Sequence, residues 1–176
     1  PPLTRQTICW LLDELAAIET QLAAMDRQLT QMARTHPVAA RLLQVPGIGI
    51  VTATALVASV PHIHAFQRGR QFASWLGVTP SERSSGHRRV LGRMSKQGNR
   101  YLRTLLAHGA RSVLRAGLAS RQRDQASRRR LAEWAVDVAE RRGRNRATIA
   151  VANKLARIVW AVWTRDCDFV ERTAAA

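Results

Sequence analysis

The 176 residues carry 28 lysines and arginines against 12 aspartates and glutamates, a formal net charge of +16 at pH 7. A charge this large repels itself unless a polyanion neutralises it, so nucleic acid is the leading candidate partner. No apolar run approaches the roughly 18 residues that a membrane-spanning helix requires, which predicts a protein without a membrane partner.

The length suits one compact domain with an appendage, because single domains commonly hold about 100 to 150 residues. The chain opens with Pro1, Pro2 and Leu3 rather than with methionine, and nothing there resembles a signal peptide. This start predicts an internal piece of a longer protein. Cys9 and Cys167 have no partners at metal or redox spacing, which fits a cytoplasmic location.

The first predicted element is a long helix at about residues 4–35, which ends at His36 because Pro37 lacks an N–H and clashes with the preceding turn. Its apolar residues recur at alternating steps of three and four, typical of a coiled-coil seam. A seam this narrow favours pairing with another helix over packing on its own domain. Residues 1–37 are therefore predicted to be a coiled-coil segment that makes the protein a homo-oligomer. The seam consists of Ile8, Leu11, Leu15, Ile18, Leu22, Met25, Leu29 and Met32.

Short helices joined by glycine turns follow from residue 39, and the first turn contains Gly47 and Gly49 ahead of an apolar helix at residues 51–59. Glycine permits a tight turn whose N–H groups face outward at a helix start, where the peptide dipoles favour an anion. This pattern predicts a helix-hairpin-helix element that holds a phosphate backbone through Gly47 and Gly49 without reading bases. A plain corner between two helices stays open as the alternative, because one GxG is a weak signal.

The remaining elements are predicted to be mostly helical, so the fold class is all-α, with residues 38–176 forming a compact helical domain. A loop is expected at residues 81–98, with short β pairing around residues 90–94 left open. Four tryptophans are predicted to pack in the core rather than to stack on bases. The further helices are expected at about residues 67–76, 99–116, 127–140 and 146–164, and the core tryptophans are Trp75, Trp134, Trp160 and Trp163.

The loop at residues 81–98 places the adjacent hydroxyls of Ser84 and Ser85 among cationic side chains. Guanidinium groups ease formation of an alkoxide and stabilise charge on a phosphorus under attack, which suits transfer through a covalent phosphoserine. From the residues alone, a turn that only contacts phosphate is the favoured interpretation. The predicted nucleic-acid contacts here are Arg83, His87, Arg88, Arg89, Arg93, Lys96, Arg100 and Arg103.

The carboxylates are scattered along the chain and the five histidines have no ligand spacing, so no catalytic metal is predicted in this chain.

Arginines are dense between residues 121 and 146. A nucleic-acid groove is slightly favoured there over a solvated surface.

Five segments together closely resemble the C-terminal domain of the IS-one-ten and IS-eleven-eleven insertion-sequence transposases, relatives of the pilin-gene invertase. The resemblance covers about residues 38–165, and the heptad helix is similar to the coiled-coil region of that family. The segments are residues 43–49 (LQVPGIG), 72–80 (FASWLGVTP), 84–86 (SSG), 92–106 (GRMSKQGNRYLRTLL) and 152–157 (ANKLAR).

The resemblance implies a site-specific DNA recombinase whose serine becomes covalently joined to DNA, with Ser85 favoured and Ser84 close behind. It also implies a structured guide RNA and an N-terminal RuvC-like domain that holds four acidic residues and magnesium. That domain is missing here, so the chain alone is expected to be inactive and to hold no cofactor. The alternative is a non-catalytic helix-hairpin-helix module that binds nucleic acid. A third interpretation is a coiled-coil scaffold with incidental charge. It predicts no salt-dependent affinity for DNA or RNA at near-physiological ionic strength.

Overall fold

The computed structural model describes residues 1–86, 88, 90–123 and 130–170. Within these ranges the chain forms seven α-helices, one 3-10 turn at Ile63–Ala65 and two short strands, so the predicted all-α class is confirmed. The helices are α1 (Pro2–Thr35), α2 (Pro37–Leu42), α3 (Ile50–Ser59), α4 (Gly69–Trp75), α5 (Arg100–Gln122), α6 (Arg130–Arg142) and α7 (Arg144–Arg165), and the strands are β1 (Pro80–Glu82) and β2 (Leu91–Met94).

Helix α1 ends where the sequence predicts, because His36 adopts an extended conformation and Pro37 begins the next helix. Only Ala33 is buried in its 34 residues. The seam side chains from Ile8 to Met25 are 51–65% exposed, so the described chain leaves this apolar stripe uncovered. Coiled-coil pairing and the division at residue 37 stay predictions.

The core lies between α3, α4, α5, α6 and α7, with α7 packed against the other helices of the group except α3. Buried residues recur along α7 at steps of three and four, the spacing of one helix face. Leu106 of α5 and Leu155 of α7 are fully buried, and each such leucine stabilises the fold by about 1.5–3 kcal/mol. No helix in the described ranges combines the length and apolarity needed to cross a membrane.

Strands β1 and β2 pair antiparallel, so the described residues between 80 and 94 form a β-ribbon where an open loop was predicted. Pairing extends past both strands, because the Arg83 N–H donates to the Val90 carbonyl at 2.9 Å and the Ser95 N–H donates to the Thr79 carbonyl at 2.9 Å. The β pairing left open around residues 90–94 is thus confirmed. The loop prediction was wrong because the strands PSE and LGRM lack the apolar alternation that predicts a strand.

Helix α5 runs six residues beyond its predicted end at residue 116. It begins as predicted, because the Asn99 side chain accepts a hydrogen bond from the Leu102 N–H at 3.1 Å. Its last turns pack tightly on α6: a Cβ placed on Gly117 would lie 2.7 Å from the Ala132 carbonyl oxygen. Tertiary packing therefore extends the helix. Helix α6 ends two residues later than expected, and its predicted first three residues lie outside the described ranges.

The tryptophan prediction is confirmed for three of the four residues. Trp134, Trp160 and Trp163 are partly buried and pack against the core, and the Trp160 Nε1 donates to the Phe66 carbonyl at 2.9 Å. Trp75 stacks on the buried Phe72 with ring centroids 5.9 Å apart, but 37% of it remains exposed. Trp75 therefore lies at the boundary of the core, with one part packed on Phe72 and the rest in solvent.

Candidate functional site

The tip of the β-ribbon carries both candidate serines, and both are exposed. Ser85 and Arg88 exchange two backbone hydrogen bonds, the Ser85 N–H donating at 3.2 Å and the Arg88 N–H at 3.1 Å. Gly86 lies inside this turn at φ +55°, a left-handed conformation that glycine adopts without a steric penalty. The backbone pairing therefore fixes Ser85 at the end of the ribbon.

The two serine hydroxyls have different surroundings. The Ser84 hydroxyl donates to Glu82 Oε1 at 2.8 Å and accepts from the Val90 N–H at 3.3 Å, so it is engaged within the ribbon. The Ser85 hydroxyl makes no hydrogen bond in the described part of the chain. Ser85 is therefore the hydroxyl more available to an incoming phosphate. The sequence reasoning missed the role of Glu82, because it predicted a loop here and residues two apart share a face only where the chain is extended.

Most of the predicted cations lie in solvent around the ribbon and its base. Arg103 is an exception: it is half-buried, and its Nη1 lies 3.5 Å from the carbonyl oxygens of both Leu76 and Gly98. Arg103 therefore links the end of α4 to the start of α5 as well as adding charge. His87 and Arg89 lie outside the described residues. The exposed cations are Arg83, Arg88, Arg93, Lys96 and Arg100.

The base of the ribbon is held by close backbone packing between the end of α4 and the start of α5. A Cβ on Gly77 would collide with the Gln97 carbonyl oxygen, and a Cβ on Gly98 with the Trp75 carbonyl oxygen. Both glycines also have positive φ values, +71° and +122°. Only glycine fits these two positions, and the ribbon therefore starts from a fixed base.

The turn between α2 and α3 contains Gly47 and Gly49, which have different environments. Gly47 has φ +84°, and a Cβ there would lie 2.7 Å from the Gly109 carbonyl oxygen of α5. Gly49 is exposed, caps the N-terminus of α3 and has no heavy atom near its would-be Cβ. Gly47 thus packs the turn on α5, while Gly49 leaves backbone accessible. Phosphate binding by this turn stays a prediction.

An acidic segment after α7 lies against the same turn. Asp166 adopts a left-handed conformation and forms a bidentate ion pair with Arg41, while the Gln44 Nε2 donates to Asp168 Oδ1 at 3.0 Å. The Phe169 N–H donates to Gln44 Oε1 at 2.9 Å, and Phe169 lines a surface pocket with residues 43–48. Sequence reasoning missed this contact, because its partners are 124 or 125 residues apart.

The arginine-dense region includes one arginine that is neutralised within the protein. Arg121 pairs with Asp137 at 2.9 Å and with Glu140, and the hydrogen bonds to Glu140 and Asp137 raise the pKa of its guanidinium. Its charge is already matched locally. Arg128 and Arg129, from the same predicted groove, lie outside the described ranges.

In the part of the chain that the structure describes, no three histidine, cysteine, aspartate or glutamate side chains are arranged to hold a metal ion. The predicted absence of a cofactor is not tested by this finding. The site as described offers hydroxyl, guanidinium and backbone N–H groups, which are the kinds of group that hydrogen-bond to phosphate in proteins.

Comparison with known proteins relates this sequence to a family. Residues 39–125 match the model of the Transposase IS116/IS110/IS902 family. The chain is 42% identical to a probable family 20 transposase of Pseudomonas aeruginosa over 89% of this chain and 44% of the relative. It is 38% identical to the transposase for insertion sequence element IS1111A of Coxiella burnetii, over 94% of this chain and 43% of the relative. It thus spans less than half the length of these relatives.

Proposed function

Because residues 39–125 belong to the Transposase IS116/IS110/IS902 family, we propose that this chain binds DNA and supplies the serine nucleophile of a longer transposase. The observation that carries this proposal is the Ser85 hydroxyl, exposed at the tip of a ribbon with a fixed base and without a hydrogen-bond partner in the described chain. Ser85 is the proposed nucleophile, and Ser84 the second candidate.

In the proposed step, the Ser85 Oγ attacks a phosphodiester phosphorus. A bond forms between Oγ and phosphorus while one phosphorus–oxygen bond of the strand breaks. The serine proton passes to solvent, and the released strand oxygen takes up a proton. Arg83 and Arg88 lie on the ribbon beside the serine, and their guanidinium groups stabilise the negative charge that develops on the phosphoryl oxygens. The covalent intermediate conserves the phosphodiester for joining to a second strand.

The magnesium implied by the family resemblance does not fit the described residues of this chain, which hold no suitable group of ligands. Magnesium binding is therefore proposed for the part of the longer protein beyond this chain. This chain contributes phosphate binding, positioning and the nucleophile.

Cleavage by the full-length transposase tests the proposal. Ser85→Ala is expected to abolish strand cleavage, whereas Ser84→Ala is expected to reduce it only partly, because the Ser84 hydroxyl braces the ribbon through Glu82 and Val90. Both variants should keep DNA affinity. Undiminished cleavage by each variant and by the double variant would overturn the nucleophile and leave a non-catalytic nucleic-acid-binding module.

Two partners belong to the proposal. A second copy of the chain would cover the exposed α1 seam, since an apolar stripe at heptad spacing is stabilised by pairing. Replacing Leu15 and Leu22 with glutamate should then convert oligomers to monomers in analytical ultracentrifugation.

A guide RNA is the second partner, proposed from the family resemblance. If the longer protein fails to bind RNA transcribed from its own element, the guide-RNA proposal is wrong.

A further inference from the structure

Helix α5 has an uneven distribution of charge. Its 23 residues include five arginines and no acidic residue. The buried side of the helix faces α3, α6 and α7, and its apolar and small residues recur at helical spacing. The arginines that do not pack inward must therefore lie in solvent along the other side.

A helix turns 100° per residue, which places five polar side chains within an arc of about 80° opposite the buried face. All five are exposed. They extend over 15 residues, or about 22 Å along the helix axis at 1.5 Å per residue. This set, called the α5 stripe below, consists of Arg100, Thr104, His108, Arg111 and Arg115.

The three arginines of the α5 stripe differ from Arg121 on the same helix. Arg121 is held by Asp137 and Glu140 of α6. Within the described ranges, no acidic side chain forms an ion pair with Arg100, Arg111 or Arg115. Their charge is not matched within the described protein, so it is available to a ligand of opposite sign.

We propose that the α5 stripe binds the phosphate backbone of duplex DNA and extends the contact made by the serine ribbon. The inference rests on the proposed function, because it takes DNA as the ligand. Each strand of duplex DNA carries about one negative charge per 3.4 Å, so a stripe of about 22 Å spans on the order of six phosphates of one strand. Arg100 begins the stripe six residues after the end of β2, so the stripe and the ribbon are joined by a short segment. The stripe makes no base-specific contact and sets affinity and orientation.

The test is the salt dependence of duplex binding by this chain. Arg111→Gln with Arg115→Gln should make the slope of log affinity against log salt shallower by about 2, because each lost phosphate contact removes about 0.9. The matched control is Arg5→Gln with Arg27→Gln, which removes the same charge from exposed positions of α1. The control should leave the slope within about 0.5 of the parent value.

Thermal unfolding monitored by circular dichroism reports whether the variants fold, and exposed glutamine in a helix should leave the midpoint nearly unchanged. An equal change of slope in the stripe and control variants would overturn the proposal, because charge alone would explain it. A loss confined to structured RNA, with duplex binding unaltered, would also overturn it. The two proposals can fail separately. If the Ser84→Ala/Ser85→Ala double variant still cleaves DNA while the stripe variant shows the shallower salt slope, the assignment of the nucleophile is wrong and the α5 stripe proposal is supported.

Discussion

The turn at Gly47 is packed between α5 and the acidic segment after α7, whereas the turn at Gly86 stands in solvent. A Cβ on Gly47 would meet the Gly109 carbonyl at 2.7 Å, but a Cβ on Gly86 would meet nothing within 4 Å. Both turns contain glycine at a positive φ, and both were predicted to contact phosphate. The difference shows that tertiary packing covers one glycine turn and leaves the other exposed.

The packed turn should be the more sensitive of the two to added volume. Gly109→Ala places a Cβ against the Gly47 carbonyl oxygen, a backbone atom that cannot move aside cheaply. Overpacking of this kind typically lowers the free energy of unfolding by about 1–3 kcal/mol, and a backbone clash between elements belongs at the upper end. Urea denaturation followed by circular dichroism measures the change.

Gly49→Ala is the control for that experiment. Its Cβ would meet no heavy atom, and its φ of −95° is open to any residue, so the loss should stay below about 1 kcal/mol. Equal losses for Gly109→Ala and Gly49→Ala would show that the contact between Gly47 and Gly109 does not hold the turn on α5.

The open turn should tolerate a side chain at Gly86. Gly86→Ala introduces no clash, and the remaining effect is the left-handed backbone, which costs an alanine about 1–2 kcal/mol. Because the ribbon contributes little to the core, fraying of its tip can relieve part of this strain. The variant should unfold globally within about 1 kcal/mol of the parent and show faster amide exchange at residues 85–88. A loss matching that of Gly109→Ala would contradict the distinction between the turns.

The acidic segment should compete weakly with DNA at the packed turn. Asp166→Asn with Asp168→Asn removes the carboxylates that contact Arg41 and Gln44, and duplex affinity should rise by a few fold. Stability should fall by no more than about 1 kcal/mol, since Asp166 is largely exposed. Fluorescence anisotropy at constant salt measures the affinity.

Asp13→Asn with Glu14→Gln makes the same change in net charge on α1, away from the turn, because both residues are exposed. If this pair raises affinity as much as the change at Asp166 and Asp168, the position of the acidic segment has no effect of its own.

The sequence predicted those helix ends, caps and turns that depend on residues close together in the chain. Pro37 ends α1, Asn99 caps α5, and glycine marks the turn at residues 46–49. That α1 is one long helix follows from its heptads. Of the candidate site, the sequence placed Ser84 and Ser85 together among arginines, but nothing local distinguishes their hydroxyls.

Features created by distant contacts were not predictable. The Ser84 hydroxyl meets the Val90 N–H only because the ribbon folds in one register, and Arg103 reaches the Leu76 carbonyl only because α4 ends beside α5. The contact between Arg41 and Asp166 joins residues 125 positions apart. Such pairs carry no periodic signal, because the folded core and not the neighbouring sequence brings them together.

Mass spectrometry of the covalent adduct trapped between the full-length transposase and its DNA would identify the attacking residue. We expect a peptide that carries the nucleotide remnant on Ser85, with Ser84 unmodified, because only the Ser85 hydroxyl is free of partners within the described ribbon. A remnant on any other residue, or cleavage without a covalent adduct, would contradict the assignment of Ser85 as the nucleophile.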